Sequence, residues 1–93
     1  MINISIPNLS NREKKYLIEC VKSNFVSAVG KYINIFENKF KKIVNTKFAS
    51  SVNSGTSALH LSLLAAGVKK NDLVIVPSYT FAATVNAILY SGA

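Results

Sequence analysis

The sequence predicts an α/β fold with parallel strands and an incomplete sheet, and three observations support this prediction. Residues 48–90 follow the order strand, loop, helix, strand, loop, helix, which is typical of parallel α/β units. The two helices of this region carry no charged residue, as expected of helices that are covered on most sides. A parallel sheet normally has more than two strands. We therefore expect the 93 residues to be the first part of a larger domain, or to cover their apolar faces in an oligomer.

Two amphipathic helices are predicted before residue 48. Ser10 and Glu13 have the spacing of a capping box, and the helix that they begin extends to about Ser23. After a loop at 24–30, a second helix is expected at about 31–45. The apolar residues recur at helical spacing, in the first helix at Leu17, Cys20 and Val21, and in the second at Ile33, Phe36, Phe40, Ile43 and Val44. We interpret Cys20 as a structural residue.

The second half contains the predicted parallel α/β elements. In chain order they are a strand at 48–52, a helix at 57–66, a strand at 73–76 and a helix at about 80–90. Gly67 stands where a helix ends on a residue with left-handed backbone, and Gly92 is expected to stop the last helix. These patterns divide the chain into a helical segment, 1–47, and the start of an α/β domain, 48–93.

Composition excludes several classes of protein. A hydrophobic share of 49% argues against disorder, and 93 residues allow one domain at most. A single cysteine cannot build an internal disulfide framework, which favours a reducing, cytoplasmic location. The opening residues 1–7 lack the basic and apolar regions of a signal peptide, and no apolar run reaches the ~18 residues of a membrane span. We expect no membrane partner.

The net charge of +7 lies almost wholly in the first half, with +6 in residues 1–47 and +1 in residues 48–93. We interpret the lysines of the second helix as a solvated face. The alternative is a small basic, non-enzymatic module that binds nucleic acid or an acidic partner. However, aromatic residues are not interleaved with these lysines, and no nucleic-acid reader motif is present.

The turn before the third helix is a candidate phosphate site. Gly55 allows close backbone approach, Thr56 and Ser57 add hydroxyl groups, and a helix N-terminus presents unpaired N–H groups. Ordinary helix capping explains the same residues equally well. The pattern is neither a Walker loop nor a dinucleotide fingerprint.

A second candidate lies in the loop 77–81, at the carboxyl end of the second strand, the edge where ligands bind to open α/β sheets. Phe81 or Tyr79 could stack on a planar ring whose phosphate binds at Gly55 and Thr56. The alternative is that both aromatic residues belong to the core. We interpret His60 as a core residue, and we predict no catalytic residue and no metal site.

Two runs of residues resemble a known family. Residues 53–60, NSGTSALH, and 74–88, VIVPSYTFAATVNAI, are similar to the amino-terminal region of the DegT/DnrJ/EryC1/StrS nucleotide-sugar aminotransferases. The opening 6–10, IPNLS, and the loop 25–30, FVSAVG, resemble its perosamine-synthase-like and legionaminic-acid-pathway branches. The resemblance covers nearly the whole chain, and its specificity comes from the combination of motifs.

The resemblance implies the amino-terminal part of an aspartate aminotransferase-like domain (fold type I) that depends on pyridoxal 5'-phosphate. The turn Gly55–Thr56–Ser57 would bind the cofactor phosphate, chiefly by the backbone amides of Gly55 and Thr56, and Phe81 would stack on the pyridine ring. The loop 25–30 would lie near the substrate, although many relatives have Trp where this chain has Phe25.

The resemblance also implies substrates and partners. The substrate would be a nucleotide-linked keto-deoxysugar used for polysaccharide or glycan synthesis, with glutamate as the amino donor, in a homodimer. The family's Schiff-base lysine, and the carboxylate that pairs with the pyridine nitrogen, match positions beyond residue 93. We therefore expect this chain alone to be inactive. Some relatives are sugar dehydratases, and the residue that distinguishes them would also lie downstream.

Overall fold

Four α-helices form the regular secondary structure of the residues that this computed structural model describes, 5–27 and 29–93. They are α1 (Asn11–Lys22), α2 (Lys31–Ile43), α3 (Gly55–Ala65) and α4 (Ala82–Ser91). None of these helices has the length and apolarity needed to cross a bilayer. Residues 1–4 of the opening segment and Ala28 of the loop 25–30 lie outside the described residues.

The chain divides into two compact units between Ala49 and Ser50, and each unit is described by itself. The first unit contains α1 and α2, and the second contains α3 and α4. The predicted division into 1–47 and 48–93 concerns the domains of a larger protein and stays a prediction.

The helix α1 begins as the sequence predicts. The backbone N–H of Ser10 donates to the Glu13 carboxylate at 2.5 Å, and the Ser10 hydroxyl accepts from the N–H of Arg12 at 3.2 Å. The capping box is therefore confirmed. Hydrogen bonds from Ser10 favour the charged form of Glu13 and hold the pKa of its carboxyl below the ordinary value. Ser23 caps the carboxyl end, close to the predicted end of the helix.

The two predicted strands, 48–52 and 73–76, were wrong for this chain, because no strand forms in the described residues. Within the second segment Leu73 and Ile75 are 98% and 100% exposed, whereas Val74 and Val76 are half-buried. That alternation suits a strand, but a strand also needs neighbours that pair with its backbone N–H and C=O groups. The helices of the predicted α/β pattern are present and its sheet is absent in 5–27 and 29–93.

The helices of the second unit, α3 and α4, pack against each other. A hydrogen bond of 3.1 Å from the N–H of Asn71, in the loop after α3, to the carbonyl of Gly92 joins this loop to the end of α4. Gly67 has φ 83°, so the predicted left-handed residue after α3 is confirmed. The expected stop of the last helix at Gly92 is also confirmed, and this residue has φ 83° as well.

The prediction that α3 is covered on nearly every side was also wrong. No residue of α3 is buried, and Leu59, Leu61 and Leu64 are each more than two-fifths exposed. Among the described residues, Ala87 of α4 is the one buried hydrophobic side chain. The uncharged surface of α3 has a single helix as its partner in this unit, and one helix covers only one face of another.

Candidate functional site

The turn before α3 is held by hydrogen bonds among three polar side chains. Ser54 is the N-cap, and its hydroxyl oxygen accepts from the N–H of Ser57 at 3.1 Å. The Ser57 hydroxyl donates to Asn53 Oδ1 at 3.0 Å and lies 3.0 Å from the Ser54 hydroxyl. The capping interpretation of this turn is therefore confirmed, with Ser54 as the capping residue.

The cap leaves two backbone N–H groups and one hydroxyl group of the turn without a hydrogen-bond partner in the described residues. The first intrahelical bond of α3 is made by the N–H of Ala58 to the carbonyl of Ser54 at 3.0 Å. The backbone N–H groups of Gly55 and Thr56 have no acceptor within the described residues, and neither does the Thr56 hydroxyl group. No acidic residue lies in the first turn of α3 to repel an anion. Two amides and a hydroxyl at the positive end of a helix dipole suit a phosphate group.

Gly55 is not required by the fold of this unit. Its backbone is not left-handed, and a Cβ placed on it would meet no atom within 4 Å. The open space beside Gly55 borders the two unused amides. A ligand could therefore approach the backbone at Gly55 closely, which is the role that the sequence analysis predicts for this glycine.

The aromatic side chains of the loop 77–81 are exposed on the surface of the second unit and are not part of a core. Phe81 is 82% exposed and Tyr79 is fully exposed, so the core interpretation of both was wrong in this chain. Phe81 is the N-cap residue of α4, and the hydroxyls of Thr80 and Thr84 lie 2.9 Å apart beside it. Phe81 takes part in none of the ring–ring contacts of the described residues.

His60 packs as a structural residue. It is half-buried, and its ring lies edge-on to Tyr90 of α4 with 5.9 Å between the centroids. Within the described ranges no three His, Cys, Asp or Glu side chains lie close enough to bind a metal ion together.

Sequence reasoning missed a polar cluster between α1 and α2. We call it the Glu19 clasp, and it consists of Glu19, Lys31 and Tyr32. The Glu19 carboxylate accepts a hydrogen bond from the Tyr32 hydroxyl and pairs with Lys31 Nζ at 3.0 Å. The Lys31 ammonium also lies 4.9 Å from the centre of the Tyr32 ring. Residues 12 and 13 positions apart on separate helices follow no spacing rule, so nothing in the sequence indicates this cluster.

The clasp makes its contribution to stability over a wide range of pH. The Tyr32 hydrogen bond, with help from Lys31 and Lys15, lowers the pKa of Glu19 below the ordinary 4.5. This contribution is present above pH 4.5 and is lost as the pH falls through the lower, folded pKa. Glu19 raises the pKa of Lys31 above 10.5 and that of Tyr32 above 10.0, so their contributions are lost as the pH rises through the folded values.

We predict that Tyr32→Phe raises the pKa of Glu19 toward 4.5, because it removes the main hydrogen bond to the carboxylate. An NMR titration of the Glu19 side-chain carboxyl measures this directly. Tyr16→Phe is the matched control, since it removes a hydroxyl from the neighbouring ring, 5.0 Å away, that does not bond to Glu19. Equal titration curves in wild type and Tyr32→Phe would contradict the prediction.

The sequence profile of the DegT/DnrJ/EryC1/StrS aminotransferase family matches residues 7–93. The chain is 49% identical over 87 residues, 94% of its length, to GDP-perosamine synthase of Escherichia coli O157:H7. It is 42% identical over 92 residues, 99% of its length, to EpsN of Bacillus subtilis, whose name proposes a pyridoxal phosphate-dependent aminotransferase.

A third relative is the UDP-4-amino-4,6-dideoxy-N-acetyl-β-L-altrosamine transaminase of Campylobacter jejuni, which is 37% identical over 93 residues, the whole chain. In each of the three comparisons the chain spans 24% of the relative's length. The matched part is the amino-terminal quarter of the relatives. The resemblance seen in the sequence is confirmed: the chain belongs to the DegT/DnrJ/EryC1/StrS aminotransferase family.

Proposed function

We propose that these 93 residues are the amino-terminal quarter of a pyridoxal 5'-phosphate-dependent nucleotide-sugar aminotransferase. The complete enzyme would transfer an amino group from glutamate to the keto group of a nucleotide-linked deoxysugar, for polysaccharide or glycan synthesis. The family match over residues 7–93 supports the reaction class, and the names of the GDP-perosamine and altrosamine relatives support a nucleotide-sugar substrate. We further propose that it acts in the cytoplasm as a homodimer.

The observation that supports the cofactor best is the pair of unused amides at the start of α3. The N–H groups of Gly55 and Thr56, with the Thr56 hydroxyl, would hold the cofactor phosphate. Ser57 completes the proposed site from the third position of the helix, where its hydroxyl keeps Asn53 and Ser54 in place. A phosphate bound by these donors would leave the hydrogen bond from Ser57 N–H to Ser54 in place.

Phe81 would supply the second half of the cofactor site. Its ring is exposed at the start of α4. A flat aromatic face at this place suits the pyridine ring of pyridoxal phosphate and would exclude water from one side of it. When bound, this cofactor supplies the electron sink for amino transfer. The residues 1–93 would therefore bind and orient the cofactor, and we assign no catalytic residue among them.

In the decisive experiment the gene is sequenced beyond codon 93, and the protein encoded by its complete reading frame is purified. We expect a downstream lysine in a family motif, bound pyridoxal phosphate seen by its visible absorbance, and glutamate-dependent amino transfer to nucleotide-linked keto-deoxysugars. A frame that stops at codon 94, with a purified chain that takes up no pyridoxal phosphate, would overturn the proposal. Bound cofactor with loss of water from the nucleotide-linked sugar, and no amino transfer, would place the protein among the sugar dehydratases and overturn the aminotransferase assignment.

A further inference from the structure

The first unit contains an open apolar cavity of about 560 Å³. Its walls come from α1, from the loop that follows α1 and from the first turn of α2, and its apolar residues include Leu17, Phe25, Val26 and Ile33. No Cα atom of α1 lies within 8 Å of a Cα atom of α2, so the two helix backbones do not pack closely against each other. Leu17, Phe25 and Val26 are each more than half exposed, which leaves a continuous apolar surface in contact with water.

The polar side chains that line the cavity already have hydrogen-bond partners within the unit. The Ser23 hydroxyl donates to the carbonyl of Cys20 at 3.0 Å, and the Ser27 hydroxyl accepts from the N–H of Val29 at 3.4 Å. The lysine and the tyrosine that line the cavity belong to the Glu19 clasp and bind its carboxylate. In the described part of the chain, no buried side-chain nitrogen or oxygen atom lacks a hydrogen-bond partner. The cavity therefore suits apolar side chains better than a phosphate or a sugar, which need free polar groups to recognise them.

Most of the length of the relatives lies outside the part that these 93 residues match. The chain spans 24% of each of the three relatives, and the matched part is their amino-terminal quarter. A later segment of the same chain competes well for an exposed apolar surface, because the covalent connection keeps it at an effective concentration of about millimolar. A second copy of the chain would need an interface of about 20–30 residues a side, which is far larger than this cavity.

We propose that the cavity lined by α1, the loop after it and the start of α2 is a docking site for apolar side chains of the chain that follows residue 93. Leu17, Phe25 and Val26, which are exposed in these 93 residues, are then buried in the complete protein. This inference rests on the proposed function, since it requires the longer enzyme of which these residues are the first quarter. It concerns a surface of the first unit and is separate from the cofactor site in the second unit.

Photo-cross-linking in the protein from the complete reading frame tests this proposal. The two variants are Phe25→p-benzoylphenylalanine and Lys15→p-benzoylphenylalanine, whose new side chain bonds covalently to neighbouring C–H groups under near-ultraviolet light. Lys15 is the matched control, because it is exposed and lies five residues before Cys20 of the cavity, about 140° away around α1. We expect position 25 to link to residues beyond 93 of the same molecule with at least about tenfold the yield of position 15, because the reaction needs direct contact. Mass spectrometry of the digested protein identifies both partners of each link.

Three results would overturn the proposal: no link beyond residue 93, equal yields from positions 15 and 25, or a link to a second copy that doubles the mass and increases with protein concentration. If the Phe25 variant loses helix by circular dichroism, Leu17→p-benzoylphenylalanine replaces it with the same expectation and the same overturning results. Amino transfer by the wild-type protein without a link from position 25 would overturn this inference alone. A reading frame that stops at codon 94 would overturn the proposed function together with this inference.

Discussion

We expect Gly55→Val, made in the protein from the complete reading frame, to weaken pyridoxal phosphate binding by about tenfold or more. Side-chain atoms that are forced into a space already filled by the ligand typically have an effect of this size. Within this unit the substitution causes no clash, because a Cβ on Gly55 meets no atom within 4 Å. The new methyl groups would instead occupy the space beside the unused amides of Gly55 and Thr56. The loss would therefore arise from the ligand and not from the fold.

Ala58→Val is the matched control for Gly55→Val. It places the same β-branched side chain on an exposed position of α3, past the capping turn. Equilibrium dialysis with pyridoxal phosphate and the visible absorbance of the purified variants measure the two effects. We expect Ala58→Val to bind the cofactor as wild type does. Unchanged binding in Gly55→Val would show that the phosphate does not bind at this turn.

Local rules predicted the helices well. The Ser10–Glu13 capping box and the helix ends at Gly67 and Gly92 depend on a few neighbouring residues, and each is present in the structure. The helix boundaries differ by about two residues; α3, for example, begins at Gly55 and not at Ser57. Such differences are expected where a cap, and not the apolar pattern, decides the first turn.

Interactions between distant residues were predicted poorly, in two different ways. The segment 73–76 has the composition of a buried strand, but a strand forms only when another segment pairs with it, and Ile75 is fully exposed here. The Glu19 clasp forms because two helices happen to bring Glu19 close to Lys31 and Tyr32. The composition of 73–76 predicted a strand that does not form, and no sequence pattern predicted the Glu19 clasp.

The candidate site lies between these extremes. The sequence identified the turn at Gly55 and Thr56 and left phosphate binding and capping open as alternatives. The structure shows that they are compatible, because Ser54 caps α3 through the N–H of Ser57 and the two earlier amides remain unused. What the sequence could not provide from local chemistry was the reaction class, which rests on the family match.

Replacing Phe81 by alanine in the complete protein is expected to weaken pyridoxal phosphate binding by about three- to tenfold, the usual effect of one aromatic stacking contact. The fold of the second unit should not change. Phe81 is 82% exposed, and as the N-cap residue of α4 it makes no side-chain capping bond that alanine would remove. A loss of binding would therefore come from the ring itself.

Tyr79→Ala provides the comparison, since it removes a second fully exposed aromatic ring from the same loop. If Phe81 stacks on the cofactor, its replacement by tyrosine should keep most of the affinity, replacement by alanine should lose it, and Tyr79→Ala should have little effect. The reverse order, with Tyr79→Ala the weaker binder, would move the stacking role to Tyr79. The two rings cannot be distinguished by exposure, so the ranking of the three affinities decides which of them faces the pyridine ring.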